Sequence, residues 1–228
     1  MSSRFLFERI GRQTAISFAV EGCTKIAITD SSSEGLTATK QSIEAVAPHA
    51  SVLIVLSDVR LESDVESGVA SAIEQFGRID YAVNCASTAP EWPRATSTRP
   101  TFDDVMAVNA RGVWLCGRAQ ARQMRTQEPL PTHDGRPGAR GAIVNIASSL
   151  GISPIPGKTP YAASKAAMIQ ITKSDALDIP HDGDAVRGMP IPRKCSPQES
   201  ADVILFIVSS KASFLQGAII SADGGHTI

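Results

Sequence analysis

Three residues within one stretch have the types and spacing for proton chemistry: Ser148, Tyr161 and Lys165. Tyr161 and Lys165 stand four apart in a run whose apolar residues (Ala162, Ala166, Met168, Ile169, Ile171, Leu177) read as a helix. Their side chains therefore share one helix face, a turn apart. A free phenol has a pKa of about 10, too high for a base at neutral pH, and an ammonium one turn away favours the phenolate. Ser148 follows the apolar run 142–147, AIVNIA, which reads as a buried parallel strand. Ligands of open α/β sheets gather at the carboxyl edge of such strands. Tyr-x-x-x-Lys alone is a weak signal in a chain with two tyrosines. Joined to Ser148-Ser149-Leu150-Gly151, with Ser148 thirteen residues before Tyr161, it is much stronger.

The elements that must hold these residues alternate along the chain. Residues 12–21, RQTAISFAVE, read as an amphipathic helix closed by Gly22, and Lys25 to Asp30 as a short strand ending in a carboxylate. A helix from Glu34 to Val46 and a strand from Ser51 to Leu56 come next. Ser63-x-x-Glu66 has the form of a capping box ahead of a helical face of Val65, Val69, Ala72, Ile73 and Phe76. Ile79 to Asn84 is another strand, and a long helix spans about Thr101 to Arg125 with Asn109 inside it. Breaker-rich loops cover 126–140 and 179–197. A helix from Gln198 to Ser209 and a strand from Gly217 to Ser221 close the chain. Strand–helix alternation of this kind predicts a single α/β domain over residues 1–228, with a doubly wound parallel sheet of Rossmann type.

With these motifs in place, the chain resembles the short-chain dehydrogenase/reductase family. The resemblance implies an oxidoreductase that exchanges hydride between NAD(P)(H) and an alcohol or ketone of a small organic molecule, secondary metabolism being one expected setting. It assigns Tyr161 as general acid/base, and Lys165 as the group that lowers its pKa and holds the cofactor ribose. Ser148 orients the substrate oxygen. Asn109, in Val-Asn-Ala-x-Gly, anchors a proton relay behind the lysine. Asp30 ends the second strand of the dinucleotide unit, where a carboxylate accepts ribose hydroxyls and repels a 2′-phosphate. Ser31, not a basic residue, follows it, which favours NAD(H) over NADP(H). Asp58-Val59 matches the family's Asp-Val at the adenine. Asn84-Cys85-Ala86-Ser87 stands where the family usually has Asn-Asn-Ala-Gly, so Asn84 and Ala86 match while Cys85 and Ser87 do not. Relatives dimerise through helices matching Thr101–Arg125 and Tyr161–Asp178, so a homodimer or homotetramer is expected.

Two parts of the family pattern are missing. Of the first strand and the motif Thr-Gly-x-x-x-Gly-x-Gly only Ile10 and Gly11 survive, with Arg9 at a glycine position and Phe5-Leu6-Phe7 as a stub of strand. After Asp178 the sixth strand and its Pro-Gly are not found. Both omissions remove central or near-central strands, leaving neighbours to find other hydrogen-bond partners. The alternative expectation is a truncated, catalytically impaired pseudoenzyme acting as an interaction protein.

Composition narrows the remaining classes. The 228 residues are 43% hydrophobic and 20% charged, with a net charge of −1 and no basic run, so neither nucleic acid nor an anionic membrane surface is an expected partner. Cys23, Cys85, Cys116 and Cys195 are scattered and read as buried thiols. His49, His133, His181 and His226 lack metal-ligand spacing, so no metal is expected. No Gly-x-Ser-x-Gly elbow supports a hydrolase triad at Ser148. With no signal-peptide core and no long apolar run, a cytoplasmic protein is expected.

Overall fold

The computed structural model describes residues 4–89, 99–132, 135, 138–178, 191, 196–208, 220–221 and 224–225. By its contacts the chain divides into two compact units, Met1–Ile169 and Gln170–Ile228.

The first unit opens with α1, Arg4–Val20. Phe5-Leu6-Phe7 is helical, not a strand stub: Gly11 is the one breaker in the pattern that runs back from Val20, and a single glycine inside a helix costs only about 1 kcal/mol. Gly22, at φ +95°, ends the helix in the left-handed conformation that only glycine adopts without cost. Strand β1 (Lys25–Asp30) pairs in parallel with β2 (Ser51–Leu56), in register from Lys25 opposite Ser51 to Asp30 opposite Leu56. The crossover between them is α2, Ser33–Val46, whose N-cap Ser32 accepts a hydrogen bond from the Gly35 N–H. Ile26 and Ile28 of β1 pack with Leu36 and Ile43 of α2 and Ala19 of α1, forming one apolar core. Each point of that core follows from the period of its element: two along the strand, three to four along the helices.

Helix α3 is Glu62–Phe76. The expected Ser63/Glu66 capping box does not form. Leu61 occupies the N-cap without a side-chain bond, and the Asp64 carboxylate instead accepts from the Asp58 N–H at 3.0 Å. Strand β3 (Tyr81–Asn84) pairs in parallel with β4 (Ala142–Asn145), Tyr81 opposite Ala142 and Asn84 opposite Asn145. Between them run α4 (Arg99–Met106), a π-helical turn (Ala107–Gly112) and α5 (Val113–Met124). Leu115 and Ala119 of α5 pack on Val65 of α3 in a second apolar cluster.

Among the described residues the sheet is therefore two parallel pairs rather than one continuous set of strands. Helix α1 reaches both: Phe18 packs into the first core, and its ring lies 6.1 Å from that of Tyr81 on β3. Strand β4 is parallel as expected but not buried, with Val144 half exposed. No third strand among the described residues covers it, so its apolar side chains stay partly in solvent.

Helix α6, Thr159–Asp178, begins in the first unit and continues into the second. In the second unit α7 covers Pro197–Val208, and the Ile191 N–H donates to the Gly224 carbonyl at 2.8 Å. The expected strand at Gly217–Ser221 lies mostly outside the described residues; Ile220 and Ser221 themselves are in no strand.

Candidate active site

The carboxyl ends of β3 and β4 and the first turns of α6 converge on Tyr161 and Lys165. Tyr161 is 5% exposed and Lys165 fully buried. The Lys165 ammonium donates to the Ile146 carbonyl, one residue past β4, at 2.8 Å, and lies 5.8 Å from the centre of the Tyr161 ring. Burial is the main reason its pKa falls to about 8, with Cys85 on the loop after β3 opposing. The Tyr161 phenol is pushed up, again by burial, while the hydroxyls of Ser148 and, more weakly, Ser87 pull it down. Burial and these two hydroxyls are the causes that move the phenol here. The lysine is itself held toward its neutral form, and its ammonium is bonded to a backbone carbonyl.

Ser148 sits just past β4 in extended backbone, where its Oγ accepts from the Leu150 N–H at 3.2 Å and caps the short helical turn Ser149–Gly151. The same hydroxyl acts on the Tyr161 phenol. The glycine of Ser-Ser-x-Gly has a steric reason: a Cβ on Gly151 would come within 2.8 Å of the Lys165 backbone carbon and 3.0 Å of the Ala166 nitrogen. Gly151→Val is expected to push the turn off α6 and lower stability by about 1–3 kcal/mol in urea unfolding. Unchanged stability with unchanged activity would show that the turn and helix need not touch.

Asn109 is fully buried in the π-helical turn. Its Oδ1 accepts from the Thr88 N–H at 2.7 Å, and its Nδ2 donates to the Thr88 carbonyl at 2.8 Å and to Ser164 Oγ at 3.0 Å. Ser164 in turn donates to the Tyr161 carbonyl at 2.7 Å. Asn109 therefore ties the loop after β3 to the helix bearing the tyrosine. The π-helical turn carries it; such insertions are common where a helix must aim a side chain at a site.

The remaining site residues of the sequence divide by what their side chains touch. Asn84 is engaged inside the fold: it bonds Asn145 at 2.9 Å and exchanges bonds with Gln120 at 3.0 and 2.9 Å, locking the ends of β3 and β4. Ala86, beside it, is exposed. Asp30 accepts from the Ser32 N–H at 2.9 Å, the local turn an aspartate commonly forms, leaving its other oxygen for a ligand. Asp58 is gripped by Arg60, whose side chain reaches its oxygens at 3.0, 2.9 and 2.6 Å and holds the carboxyl below its usual range. To meet an adenine amine it must share that guanidinium. Val59 packs against Gly112, where a Cβ would come within 2.8 Å of its Cγ2. Ile10 and Gly11 lie inside α1 rather than at its start, and Gly11 faces Cys85, 3.5 Å from where its own Cβ would be.

A nicotinamide dinucleotide fits part of this constellation. Tyr161, Lys165 and Ser148 suit its reacting end and Asp30 suits a ribose diol. Ile10 and Gly11 do not suit a pyrophosphate, because N–H groups more than one turn into a helix already bond carbonyls four residues back. Among the described residues no cluster of three His, Cys, Asp or Glu is arranged to hold a metal ion, and no helix is long and apolar enough to cross a membrane.

Sequence comparison agrees with this geometry. The family described as "short chain dehydrogenase" matches residues 8–190. A short-chain dehydrogenase of Aspergillus ruber, fogB, is 32% identical over 254 residues, covering 96% of this chain and 93% of the relative. Levodione reductase of Leifsonia aquatica is 30% identical, covering 96% and 90%. The crystal structure of levodione reductase superposes with a TM-score of 0.68 at 30% identity, over 95% of this chain and 92% of that one. NAD+-bound xylitol dehydrogenase gives 0.66 at 25% identity, over 94% of each chain. The chain belongs to the short-chain dehydrogenase family, with its Rossmann-like α/β fold, and is an NAD(P)-dependent oxidoreductase of small-molecule alcohols or ketones. These likenesses lend no support to a non-catalytic interaction protein.

The buried lysine has a measurable consequence. Its folded pKa, about 8, lies below its ordinary value of 10.5, so between those two pH values the unfolded chain binds more protons and stability rises with pH. Below pH 8 the cost of burying the ammonium is fully present, on the order of 3 kcal/mol. Urea unfolding from pH 7.5 to 10 is expected to show this rise in the native chain relative to Lys165→Met, which lacks the titrating group. The Cys85 and Cys116 thiols, both pushed up by burial, act in the opposite sense; Cys116 is common to both proteins, and Cys85 is pushed further up in Lys165→Met, which lacks the ammonium that opposes its burial. Parallel profiles for the two would show that Lys165 meets more solvent than its burial implies.

Proposed function

We propose that this chain reduces a ketone of a small organic molecule, with Tyr161 as the proton donor, and that it prefers NADH to NADPH. The observation that carries this is the buried Tyr161 phenol, with the Ser148 hydroxyl acting on it and the Lys165 ammonium 5.8 Å from its ring. Burial among neutral hydroxyls keeps the phenol protonated at neutral pH, the form needed to give a proton to a carbonyl oxygen. Ser148 orients that oxygen, and Lys165 holds the nicotinamide ribose while favouring the phenolate left behind. Asn109 anchors the route by which the proton is replaced. The cofactor, when bound, supplies the hydride.

The preference for NADH rests on Asp30, whose second oxygen suits a ribose diol and would repel a 2′-phosphate, with Ser31 after it. Asp58, Val59, Asn84 and Ala86 would border the adenosine. In this proposal residues 1–228 are one dinucleotide-binding domain, active in the cytoplasm as a homodimer or homotetramer. Secondary metabolism is the proposed setting. Fluorescence titration with both dinucleotides tests the cofactor choice. Asp30→Ala is expected to narrow the difference, and tighter binding of NADPH by the native chain would remove Asp30 from the account of selectivity.

A further inference from the structure

One buried polar atom, met above only for its weak pull on the Tyr161 phenol, has no role assigned to it so far. The Ser87 Oγ is buried and has no hydrogen-bond partner among the described residues. A buried hydroxyl left unpaired costs free energy, so its presence calls for a reason. Ser87 lies on the loop after β3, at the position where the family resemblance leads one to expect glycine. Its neighbour Thr88 is clamped at both backbone groups by Asn109, which also bonds Ser164, whose hydroxyl bonds the Tyr161 carbonyl. The loop is thereby fixed against the first turn of the helix that carries Tyr161. The Ser87 hydroxyl stands near enough to the Tyr161 phenol to act on it without completing a hydrogen bond.

We propose that Ser87 is a positioning residue of this centre: with Ser148 it forms a pair of hydroxyl donors that close on the Tyr161 oxygen when it is a phenolate. The neutral phenol carries its own proton and needs only one acceptor. Loss of that proton leaves an oxygen with room for a second donor, and an unpartnered hydroxyl is already held beside it. The proposal rests on the role of Tyr161 as acid/base given above. The charged or titratable groups near it are Lys165 on its own helix and Cys85 on the loop beside Lys165, and neither is altered by substitution at Ser87.

The chain has two tyrosines, Tyr81 and Tyr161, so Tyr81→Phe leaves Tyr161 as the only phenol and its titration can be read directly. With ring-carbon-labelled tyrosine, nuclear magnetic resonance follows the phenolate against pH without any need for turnover. In that background Ser87→Ala and Ser87→Gly are each expected to raise the midpoint by about half a unit to one unit, roughly a three- to tenfold smaller phenolate population at a fixed pH below it. Ser87→Thr, which keeps the hydroxyl, is expected to titrate with the parent. If either hydroxyl-free variant titrates with the parent, or if Thr shifts as far as Ala, the proposal is overturned. Two hydroxyl-free variants are included so that poor folding of one still leaves the comparison with threonine. A shift seen in a chain that reduces no ketone would leave Ser87 in its role and remove the proposed function; ketone reduction with no shift would do the reverse.

Discussion

Tyr161→Phe is expected to lower turnover by about two to four orders of magnitude at saturating cofactor and substrate, the usual range for loss of a positioned acid/base. The substitution keeps the buried ring and removes only the titrating oxygen, so folding should survive. The effect should fall on kcat rather than on KM, because the lost interaction is a proton transfer in the transition state rather than a substrate contact. Ser148→Ala should be milder in one respect. It removes a hydroxyl that orients the carbonyl oxygen but leaves the phenol to donate, so part of the rate should remain. A Phe variant of undiminished kcat would exclude Tyr161 from the chemistry.

The second large effect expected is in cofactor affinity. A pyrophosphate is held by several backbone N–H donors at close range, commonly at a helix N-terminus. Here the backbone at Ile10 and Gly11 is within α1, which starts at Arg4, and Gly11 faces Cys85. Two or three charge-assisted hydrogen bonds, at about 1.5–3 kcal/mol each, are then missing, which weakens NADH binding by several orders of magnitude. Isothermal titration of the 228-residue chain with NADH measures this directly. Placing an apolar strand and a glycine turn ahead of Ile10 should recover affinity without altering Tyr161. Micromolar binding by the unmodified chain would mean that another part of the structure holds the phosphates.

Much of this architecture is readable from the residues because local period and local chemistry agree. Ile26 and Ile28 alternate into a core that Leu36 and Ile43 meet at helical spacing, and the bounds of β1 and β2 follow. Tyr161 and Lys165 share a face because a helix requires it. Where the residues mislead, a tertiary neighbour decides. Phe5-Leu6-Phe7 has strand composition, yet with no turn between it and the residues that follow it joins the helix. Ser63 and Glu66 have the spacing of a cap, but Asp64 satisfies the free N–H of Asp58 instead. Val144 looks like a core residue and is half exposed because no third strand covers β4. Asn109 stands out as a polar residue among apolar ones, whereas the π-helical turn that aims it leaves no mark in composition. Ser87 is legible only as a departure from glycine; that its oxygen is orphaned beside Tyr161 depends on a loop held from 21 residues away.

The most direct measurement is transfer of deuterium from NADH labelled at the nicotinamide C4 to a panel of cyclic and acyclic ketones, at millimolar cofactor, read by mass spectrometry. Deuterium on the carbinol carbon of at least one product, formed by the native chain and reduced a hundredfold or more by Tyr161→Phe, is the expected result. Label transfer that is equal in both proteins, or absent from the native chain while it is folded and carries bound NADH, would contradict the assignment of this site as a ketone-reducing centre.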